Sequence, residues 1–320
     1  MKTLPLTFAL LGTATLVSQS AFGDLFSTDF NTDETANWTV NSTAGIDYIA
    51  NPYYDYSLIG VPAAPNGTGT RGLKMTANNS AGILGGISVS PIGLSLSGSY
   101  RLSFDMWQNY AGPVGPGGNG TTQFSMYGIG TTGTSAATIG GANWGTGANG
   151  IGFGTTLDGG SSSDVRAYSS AATTSYASGN AVYQAPAGAI NNSAAYYNVF
   201  TPQSAPAAQL SLFPGQTGLT DVGETSFAWR RVEILVADGF ATWSIDGLAM
   251  AKVDLSTVTL SGSNIFFGHD DTNAGSSTDA NDTLLNVTLI DNISVVQVPE
   301  PTSLALLGLS GLALLGWRRK

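Results

Sequence analysis

The sequence contains no cysteine and one histidine, His269, in 320 residues. Without thiols the chain cannot form a disulfide, a thiolate metal site or a cysteine nucleophile, so burial and sheet hydrogen bonds must hold the fold. A single histidine cannot provide the nitrogen and sulfur ligands of a zinc site. No Gly-x-Ser-x-Gly motif leads into a helix, so a Ser-His-Asp triad is not indicated. We interpret His269 as a turn residue at a strand end.

Charged side chains are also scarce, at 10% of the sequence. The segment 24–297 has 20 acidic and 7 basic residues, a net charge of −13. This negative charge repels phosphate backbones and therefore excludes nucleic acid as a partner. The 42 glycines, together with abundant Ser, Thr and Asn, are typical of turn-rich β proteins whose exposed faces carry hydroxyl groups.

Residues 1–23 have the pattern of a secretory signal peptide. Lys2 supplies positive charge, residues 4–17 are mostly apolar, and Ala21 and Gly23 are small residues at the positions that determine cleavage. An early proline and a polar run after the apolar stretch disfavour the alternative, a first core helix. We expect cleavage after Gly23.

The C-terminus combines three features in a fixed order. Val298-Pro299-Glu300-Pro301 precedes an apolar run over residues 304–317, and Arg318-Arg319-Lys320 ends the sequence. The prolines interrupt regular structure, the apolar run favours lipid, and the cations favour the cytoplasmic side of a membrane. In this combination, residues 298–320 resemble the PEP-CTERM sorting signal of surface-exported bacterial proteins.

This resemblance implies a route for the protein. The chain would be exported amino end first, and a transmembrane helix at 304–317 would stop transfer. Fourteen helical residues span about 21 Å, less than a hydrocarbon core of about 30 Å, so the inner-membrane anchor suits a transient intermediate. An exosortase-type membrane protease would then cut near Pro-Glu-Pro and release the body to the cell surface or extracellular space.

The body, residues 24–297, is long enough for one large all-β domain, with two small domains as the alternative. Alternating apolar and polar residues predict strands with one buried and one solvated face. These predicted strands cover residues 25–30, 38–40, 72–76, 94–110, 122–127, 150–155, 165–168, 181–184, 264–268 and 285–296.

Residues 227–255 predict a three-stranded meander. The pairs Asp238-Gly239 and Asp246-Gly247 predict its turns, because tight hairpin turns need positive φ, which glycine adopts freely and aspartate tolerates. Residues 112–120 are rich in glycine and proline, and we expect a long hairpin connection there. The segment 131–214 has a weak pattern and its role is not predicted.

The last third of the body is similar to the back half of concanavalin A-like, laminin-G-type jelly rolls. This resemblance implies an antiparallel two-sheet jelly-roll sandwich whose first strand pairs with its last. The motifs that carry it are Trp229-Arg230-Arg231-Val232-Glu233-Ile234, the two Asp-Gly pairs, Phe267-Gly268 and Leu289-Ile290-Asp291-Asn292-Ile293-Ser294-Val295.

Carboxylates for catalysis are few. A glycosidase needs two carboxyl groups flanking the scissile bond, yet the body has only Glu34, Glu224 and Glu233 as glutamates. Glu233 has no second acid two or four residues away, so we interpret it as a solvent-facing residue. Its expected cationic partner is Arg231, Arg230 or Lys252. No catalytic residue is predicted. Three aspartates stay open as alternatives: Asp105, Asp246 and Asp291.

An acidic loop raises the question of calcium, which prefers oxygen ligands on flexible turns. The EF-hand template fails, because Gly275 and Ser276 stand where a ligand and the turn glycine are required. We therefore expect a solvated polar loop and no cofactor, with calcium as the alternative. The residues of that alternative are Asp270, Asp271 and Asp282, with Asn273 and Asp279 beside them.

Aromatic residues in turn-rich stretches are candidates for sugar binding, since flat rings stack on sugar faces. The candidates are Tyr53, Tyr54, Tyr56 and Trp144. The alternative is that these rings anchor large loops to the sandwich. From all of this we expect an exported, non-catalytic cell-surface or extracellular-matrix protein that binds polysaccharide. A secreted glycan-cleaving enzyme on the same fold is the alternative function.

Overall fold

The computed structural model describes residues 23–112, 121–138, 150–275 and 281–299. Within them the chain forms fourteen β-strands and two short helices. The strands are β1 Asp24–Thr28, β2 Trp38–Ser42, β3 Tyr48–Asp55, β4 Arg71–Ala77, β5 Gly85–Pro91, β6 Tyr100–Asn109, β7 Gln123–Thr131, β8 Ile151–Thr156, β9 Val165–Tyr168, β10 Trp229–Ala237, β11 Phe240–Ile245, β12 Leu248–Asp254, β13 Asn264–Asp271 and β14 Val287–Gln297; the helices are α1 Ala207–Leu212 and α2 Asp282–Leu285.

The strands of this described part form two antiparallel sheets that pack face to face. Sheet A has eight strands in the order β12-β11-β10-β6-β14-β4-β3, with β1 also paired to β14. Sheet B has six strands in the order β2-β5-β13-β7-β8-β9. The prediction of an all-β, two-sheet sandwich is confirmed.

Aromatic side chains join the two sheets through the core. Phe104 of sheet A packs edge-on against Tyr127 and Phe267 of sheet B, each with ring centres 5.0 Å apart. Trp243 of sheet A stacks on Phe153 of sheet B at 5.2 Å. All five rings are fully buried. Edge-to-face and offset contacts of this kind add to the stabilisation from burial itself.

The meander at residues 227–255 has the predicted form, with β10, β11 and β12 adjacent in sheet A. Asp238 and Gly239 have φ values of 52° and 80°, and Asp246 and Gly247 have 50° and 80°. Positive φ at both central residues defines the tight turns whose twist matches the flanking strands. The sequence therefore determines these two hairpins locally.

The first and last strands pair, as the jelly-roll resemblance implies. Ser27 lies opposite Ser294 in the β1–β14 register. At the end of the pairing, the Gln297 amide donates to the Gly23 carbonyl at 3.0 Å. The two ends of the body are therefore side by side.

Two local predictions are wrong. The strands that flank residues 112–120 do not form a hairpin, because β6 belongs to sheet A and β7 to sheet B. Residues 181–184 do not form a strand of their own. They contribute a single bridge between Tyr183 and Ala251 at the edge of β12.

Among the described residues, neither helix has the length and apolar character needed to cross a membrane. The predicted transmembrane helix at 304–317 lies outside the described residues, as does the predicted signal peptide apart from Gly23.

Candidate functional site

The outer face of sheet A is distorted at one point in β14. The register of β14 against β6 shifts between Asp291 and Ser294, and Asn292 has a φ of 50°. Such a β-bulge bends its strand and redirects side chains. β4 pairs with β14 up to Ile290, and β1 resumes the pairing at Ile293. The bulge therefore lies in the gap between two strands on the same side of β14.

A pair of aspartates lies at this bulge. Asp105 of β6 and Asp291 of β14 are opposite each other in the register, and both are buried, with 0% and 1% exposure. The Asp105 carboxylate accepts hydrogen bonds from the Asn66 amide N–H at 3.3 Å and the Asn66 side chain at 2.7 Å. It also accepts from the Asn292 side chain at 2.8 Å and pairs with Arg231 at 3.1 Å. Its oxygens are therefore fully engaged.

Asp291 has weaker partners. Its carboxylate accepts from the Tyr56 hydroxyl at 2.9 Å and from the Asn292 amide N–H at 2.7 Å. Burial raises the pKa of Asp291 to about 7, and the nearby charge of Asp105 adds to this rise. Burial also raises the pKa of the Tyr56 hydroxyl well above its ordinary value. Asp291 consequently changes charge near neutral pH.

Arg231 connects this pair to the rest of the outer face. Its guanidinium donates to the Ser103 hydroxyl at 2.7 Å and the Asn292 carbonyl at 3.2 Å, besides Asp105. The Arg231 amide N–H donates to Asp246 at 2.8 Å, and Asp246 also pairs with Arg230 at 3.1 Å.

All three aspartates that the sequence left open thus belong to one network. Asp105 and Asp291 are adjacent in the register. Asp246 joins them through Arg231, whose amide N–H donates to Asp246 and whose guanidinium pairs with Asp105.

A hollow of about 460 Å³ opens to solvent beside the bulge. We call it the bulge hollow. Its side chains offer carboxylate, amide, guanidinium and hydroxyl groups, which together can accept and donate hydrogen bonds to a hydroxyl-rich ligand. The side chains that define it are Asp29, Glu34, Asn66, Arg231, Asn292 and Ser294.

The aromatic candidates within the described residues, Tyr53, Tyr54 and Tyr56, do not line this hollow. Tyr56 is fully buried, with its ring 5.2 Å from that of Trp229, so it cannot stack on a sugar and acts instead as an anchor. Tyr53 and Tyr54 are half-buried on β3. Their rings contact Arg71 at 4.0 Å and Lys74 at 4.5 Å. A sugar-binding role for these two tyrosines stays a prediction, and Trp144 lies outside the described residues.

The acidic residues that suggested calcium do not all lie in a loop, because the first two belong to a strand. Asp270 and Asp271 are the last residues of β13, and Asp282 begins α2; all three are buried. The Asp271 carboxylate accepts from Asn78 at 2.6 Å and from the Asn273 amide at 2.9 Å. In the described ranges, no group of three or more acidic or histidine side chains is placed to hold a metal ion. Asp279 lies outside them, and calcium dependence is a matter for experiment.

Two further interpretations need correction. His269 is not a turn residue: it lies within β13, fully buried, with Nδ1 2.9 Å from Thr288 Oγ1 and Nε2 2.8 Å from Gln123 Oε1. Burial lowers its pKa to about 3, so the ring is neutral. Glu233 faces solvent as expected, but its cationic partner is Arg101 on the neighbouring strand, at 3.6 Å.

Sequence reasoning assigned no functional role to Asn66, Asn292 or Arg231, which line the bulge hollow. The Asn66-Gly67 pair was one local signal, because such pairs mark tight loops and a loop could have been expected at Asn66. A second was Asn292, because asparagine tolerates positive φ better than most residues. Neither signal identifies its partner, which lies far away in the sequence.

Comparison with known proteins identifies the tail. Residues 297–320 match the model of the PEP-CTERM protein-sorting motif. The chain therefore carries a signal for export and membrane-associated processing. No curated protein matches the sequence.

Several solved structures are similar in fold. They include a Bacillus subtilis protein of unknown function with a galectin-like fold, at 9% identity, covering 87% of this chain and 98% of that one, with a TM-score of 0.39. The Emp47p carbohydrate recognition domain matches at 9% identity, covering 87% and 95%, with a TM-score of 0.43. A structure from work on endo-acting O-glycanases of the human gut microbiota matches at 11% identity, covering 87% and 100%, with a TM-score of 0.45.

Proposed function

We propose that this protein is an exported, non-catalytic, glycan-binding protein of the cell surface or extracellular matrix, and that the bulge hollow holds part of the glycan. The observation that carries the proposal is the lining of that hollow. Amide, carboxylate and guanidinium groups converge there on a space of about 460 Å³, within the usual range of about 300–1,000 Å³ for small-ligand pockets. Sugar hydroxyl groups both donate and accept, so they match this mixture of groups.

Two side chains of the hollow are available to a ligand. Glu34 is half-buried, and its carboxylate has no hydrogen-bond or ion-pair partner among the described residues. The Arg231 side chain is 31% exposed even though its guanidinium bonds to Asp105 and Ser103. A fixed, partly exposed guanidinium is pre-organised, which lowers the entropic cost of binding.

The buried aspartates support binding rather than catalysis. A general acid or base must come within hydrogen-bond reach of the reacting group, but Asp105 and Asp291 are covered and bonded to protein donors. Asn66 already donates two hydrogen bonds to the Asp105 carboxylate, from its amide N–H and from its side chain.

Glycan cleavage is the second candidate function. It is favoured by one observation, the two buried aspartates Asp105 and Asp291 that lie opposite each other, with burial raising the pKa of Asp291 to about 7. In such an enzyme the loop that carries Asn66 would have to move away from the pair. Release of reducing ends from a bound glycan distinguishes this function from binding alone.

A glycan array probed with the mature exported protein, with and without calcium, tests the proposal. We expect binding without release of reducing sugar. Glu34→Gln should weaken binding at least about threefold, since a charge-assisted hydrogen bond is replaced by a neutral one. Glu233→Gln makes the same chemical change outside the hollow and is the matched control.

Other outcomes have distinct meanings. If Tyr53→Ala or Tyr54→Ala abolishes binding while Glu34→Gln does not, the binding surface is at β3 instead. Sugar release that Asp291→Asn abolishes would establish the enzyme. An array with no bound glycan would refute the proposal.

A further inference from the structure

A second hollow, of about 340 Å³, lies at the edge of sheet A beside β12. We call it the edge hollow. Residues 182–184 run along β12, with the Gln184 amide donating to the Met250 carbonyl at 3.0 Å and the Lys252 amide to the Val182 carbonyl at 2.8 Å. The side chains that matter for its chemistry are Asn180, Gln184, Phe240, Lys252 and Asp254.

An aromatic ring forms the floor of this hollow. Phe240 lies opposite Asp254 in the β11–β12 register, on the outer face of the sheet, and is half-buried. The Lys252 ammonium lies over the Phe240 ring, 3.9 Å from its centre, so a ligand that stacks on this face must displace the flexible lysine side chain. The ion pairs of the described residues use Arg101, Arg230 and Arg231 but not Lys252. This ammonium therefore keeps its hydrogen-bond donors for another acceptor.

Two amides beside the ring have fixed orientations. The Asn180 carbonyl oxygen accepts from the Val182 amide at 2.9 Å, which leaves the Asn180 NH₂ group as a donor. The Gln184 NH₂ group donates to the Val182 carbonyl at 3.0 Å, which leaves the Gln184 oxygen as an acceptor. A ring face with a donor and an acceptor held beside it is suited to a pyranose, which has an apolar face and peripheral hydroxyl groups.

The two hollows share one face of sheet A. Arg231 lines the bulge hollow, and Ala237, six positions further along β10, pairs with Phe240 of the edge hollow. Six residues of strand span about 20 Å. Arg231 and Ala237 point to the same side, because side chains alternate along a strand. A single extended ligand can therefore cross from one hollow to the other over the outer face.

We propose that the edge hollow is a second carbohydrate-binding site, and that the two hollows together bind internal segments of one long neutral polysaccharide chain. In the edge hollow a pyranose takes the place of the Lys252 ammonium over the Phe240 ring, and its hydroxyl groups bond to Asn180, Gln184 and the displaced Lys252. The inference rests on the proposed glycan binding at the bulge hollow. It adds that the protein recognises the interior of a chain rather than a chain end.

Isothermal titration calorimetry of the mature protein tests this with neutral β-1,4-glucan, β-1,4-xylan, β-1,4-mannan and β-1,3-glucan, each as a disaccharide and as an octasaccharide. We expect the disaccharide to bind with a stoichiometry of two and the octasaccharide with a stoichiometry of one. Because the second contact is intramolecular, the octasaccharide should bind at least about tenfold more tightly.

Variants assign the sites. Phe240→Leu should reduce the disaccharide stoichiometry to one and remove the higher affinity for the octasaccharide. Phe240→Tyr, which keeps the ring, should retain the stoichiometry of two and the higher affinity. Gln184→Ala, at an exposed position, is a second probe that leaves the aromatic packing intact. Circular dichroism melting curves identify any variant that does not fold.

The results separate the two proposals. If the disaccharide binds with a stoichiometry of one and neither Phe240→Leu nor Gln184→Ala changes any affinity, the edge hollow is not a site, but the proposed function stands. If Phe240→Leu abolishes all binding and Glu34→Gln has no effect, the edge hollow binds sugar and the bulge hollow does not. This result would refute the proposal that both hollows bind one polysaccharide. If no probe binds, both proposals are overturned.

Discussion

Asp105 and Asp291 lie directly opposite each other on adjacent strands, but only Asp105 has a cationic partner. Like charges at opposed positions of an antiparallel pair are destabilising. Arg231 compensates Asp105 at 3.1 Å, whereas Asp291 has only a hydroxyl and an amide N–H as partners. Burial is the main cause of the raised pKa of Asp291, and the neighbouring charge of Asp105 adds to it.

The first prediction concerns Asp291→Asn. The pKa of Asp291 is raised from 3.8 to about 7 in the fold, so the native state loses stability as pH rises from about 4 to 7. Asparagine removes the buried charge, and the variant should be more stable than the wild type by about 2–4 kcal/mol at pH 8. At pH 4, where the aspartate is protonated in the fold, the gain should vanish. Urea unfolding at both pH values measures the difference; Asp238→Asn, in an exposed turn, is the control. If the variant gained the same stability at pH 4 and at pH 8, the raised pKa of Asp291 would be contradicted.

The second prediction concerns Glu224, a buried carboxyl group whose replacement by a neutral amide should also stabilise the fold at high pH. It is 9% exposed, and burial, with smaller contributions from the charges of Asp221, Asp158 and Asp164, raises its pKa from 4.5 to about 8. Its unfavourable charge therefore appears in the fold only above about pH 8, and stability falls between pH 4.5 and 8. Glu224→Gln should raise stability by about 2 kcal/mol at pH 9, allowing for solvent screening. Glu233→Gln is the matched control, and a loss of stability in Glu224→Gln at pH 9 would refute the prediction.

His269→Leu tests the buried polar contacts between the sheets. The substitution removes the partner of both Gln123 and Thr288, so we expect destabilisation by about 2–5 kcal/mol at pH 8. The pKa of His269 falls from 6.5 to about 3 on folding, so its contribution is complete above pH 6.5 and is lost as pH falls towards 3. The deficit of the variant should therefore shrink by about 3 kcal/mol at pH 4. Thr288→Val keeps the ring and should retain a similar deficit at both pH values; a pH-independent deficit in His269→Leu would falsify the neutral-ring assignment.

The meander turns give a prediction that depends on backbone conformation alone. Gly239 and Gly247 have φ of 80°, and no atom lies within 4 Å of the position that a Cβ would take. Gly239→Ala or Gly247→Ala should each cost about 1–2 kcal/mol, because an L-residue is strained at positive φ. Gly215 is equally uncrowded and lacks positive φ, so Gly215→Ala is the control and should be neutral or slightly stabilising. Thermal unfolding compares the three; equal effects would show that the turn conformation is not the cause.

Processing can be tested on the exported protein. The sorting motif at 297–320 and the predicted signal peptide lead us to expect a mature chain that begins at Asp24 and ends near the Val298 to Pro301 segment. Mass spectrometry of both termini measures this. Replacing Glu300 with Ala should retain the full-length form in the membrane fraction. Recovery of intact Lys320 on the wild-type exported protein would contradict the prediction.

The amino-acid sequence determined the parts of this protein that depend on neighbours in the chain. Alternation of apolar and polar residues predicted most of the strands but missed β3 and β5. The pairs Asp238-Gly239 and Asp246-Gly247 predicted the hairpins, because turn conformation is a property of a few adjacent residues. The C-terminal sorting motif was likewise recognisable from a contiguous segment.

Only the tertiary structure decided where distant strands meet. The gap between β1 and β4 along β14, the bulge at Asn292 and the contact of Asn66 with Asp105 all depend on sheet order and register. A shift of one residue in register exchanges the two faces of a strand, so local patterns cannot predict which side chains converge on a hollow. For the same reason Tyr56, Asp105 and His269 looked locally like surface residues and are buried, each held by polar partners supplied from elsewhere in the chain.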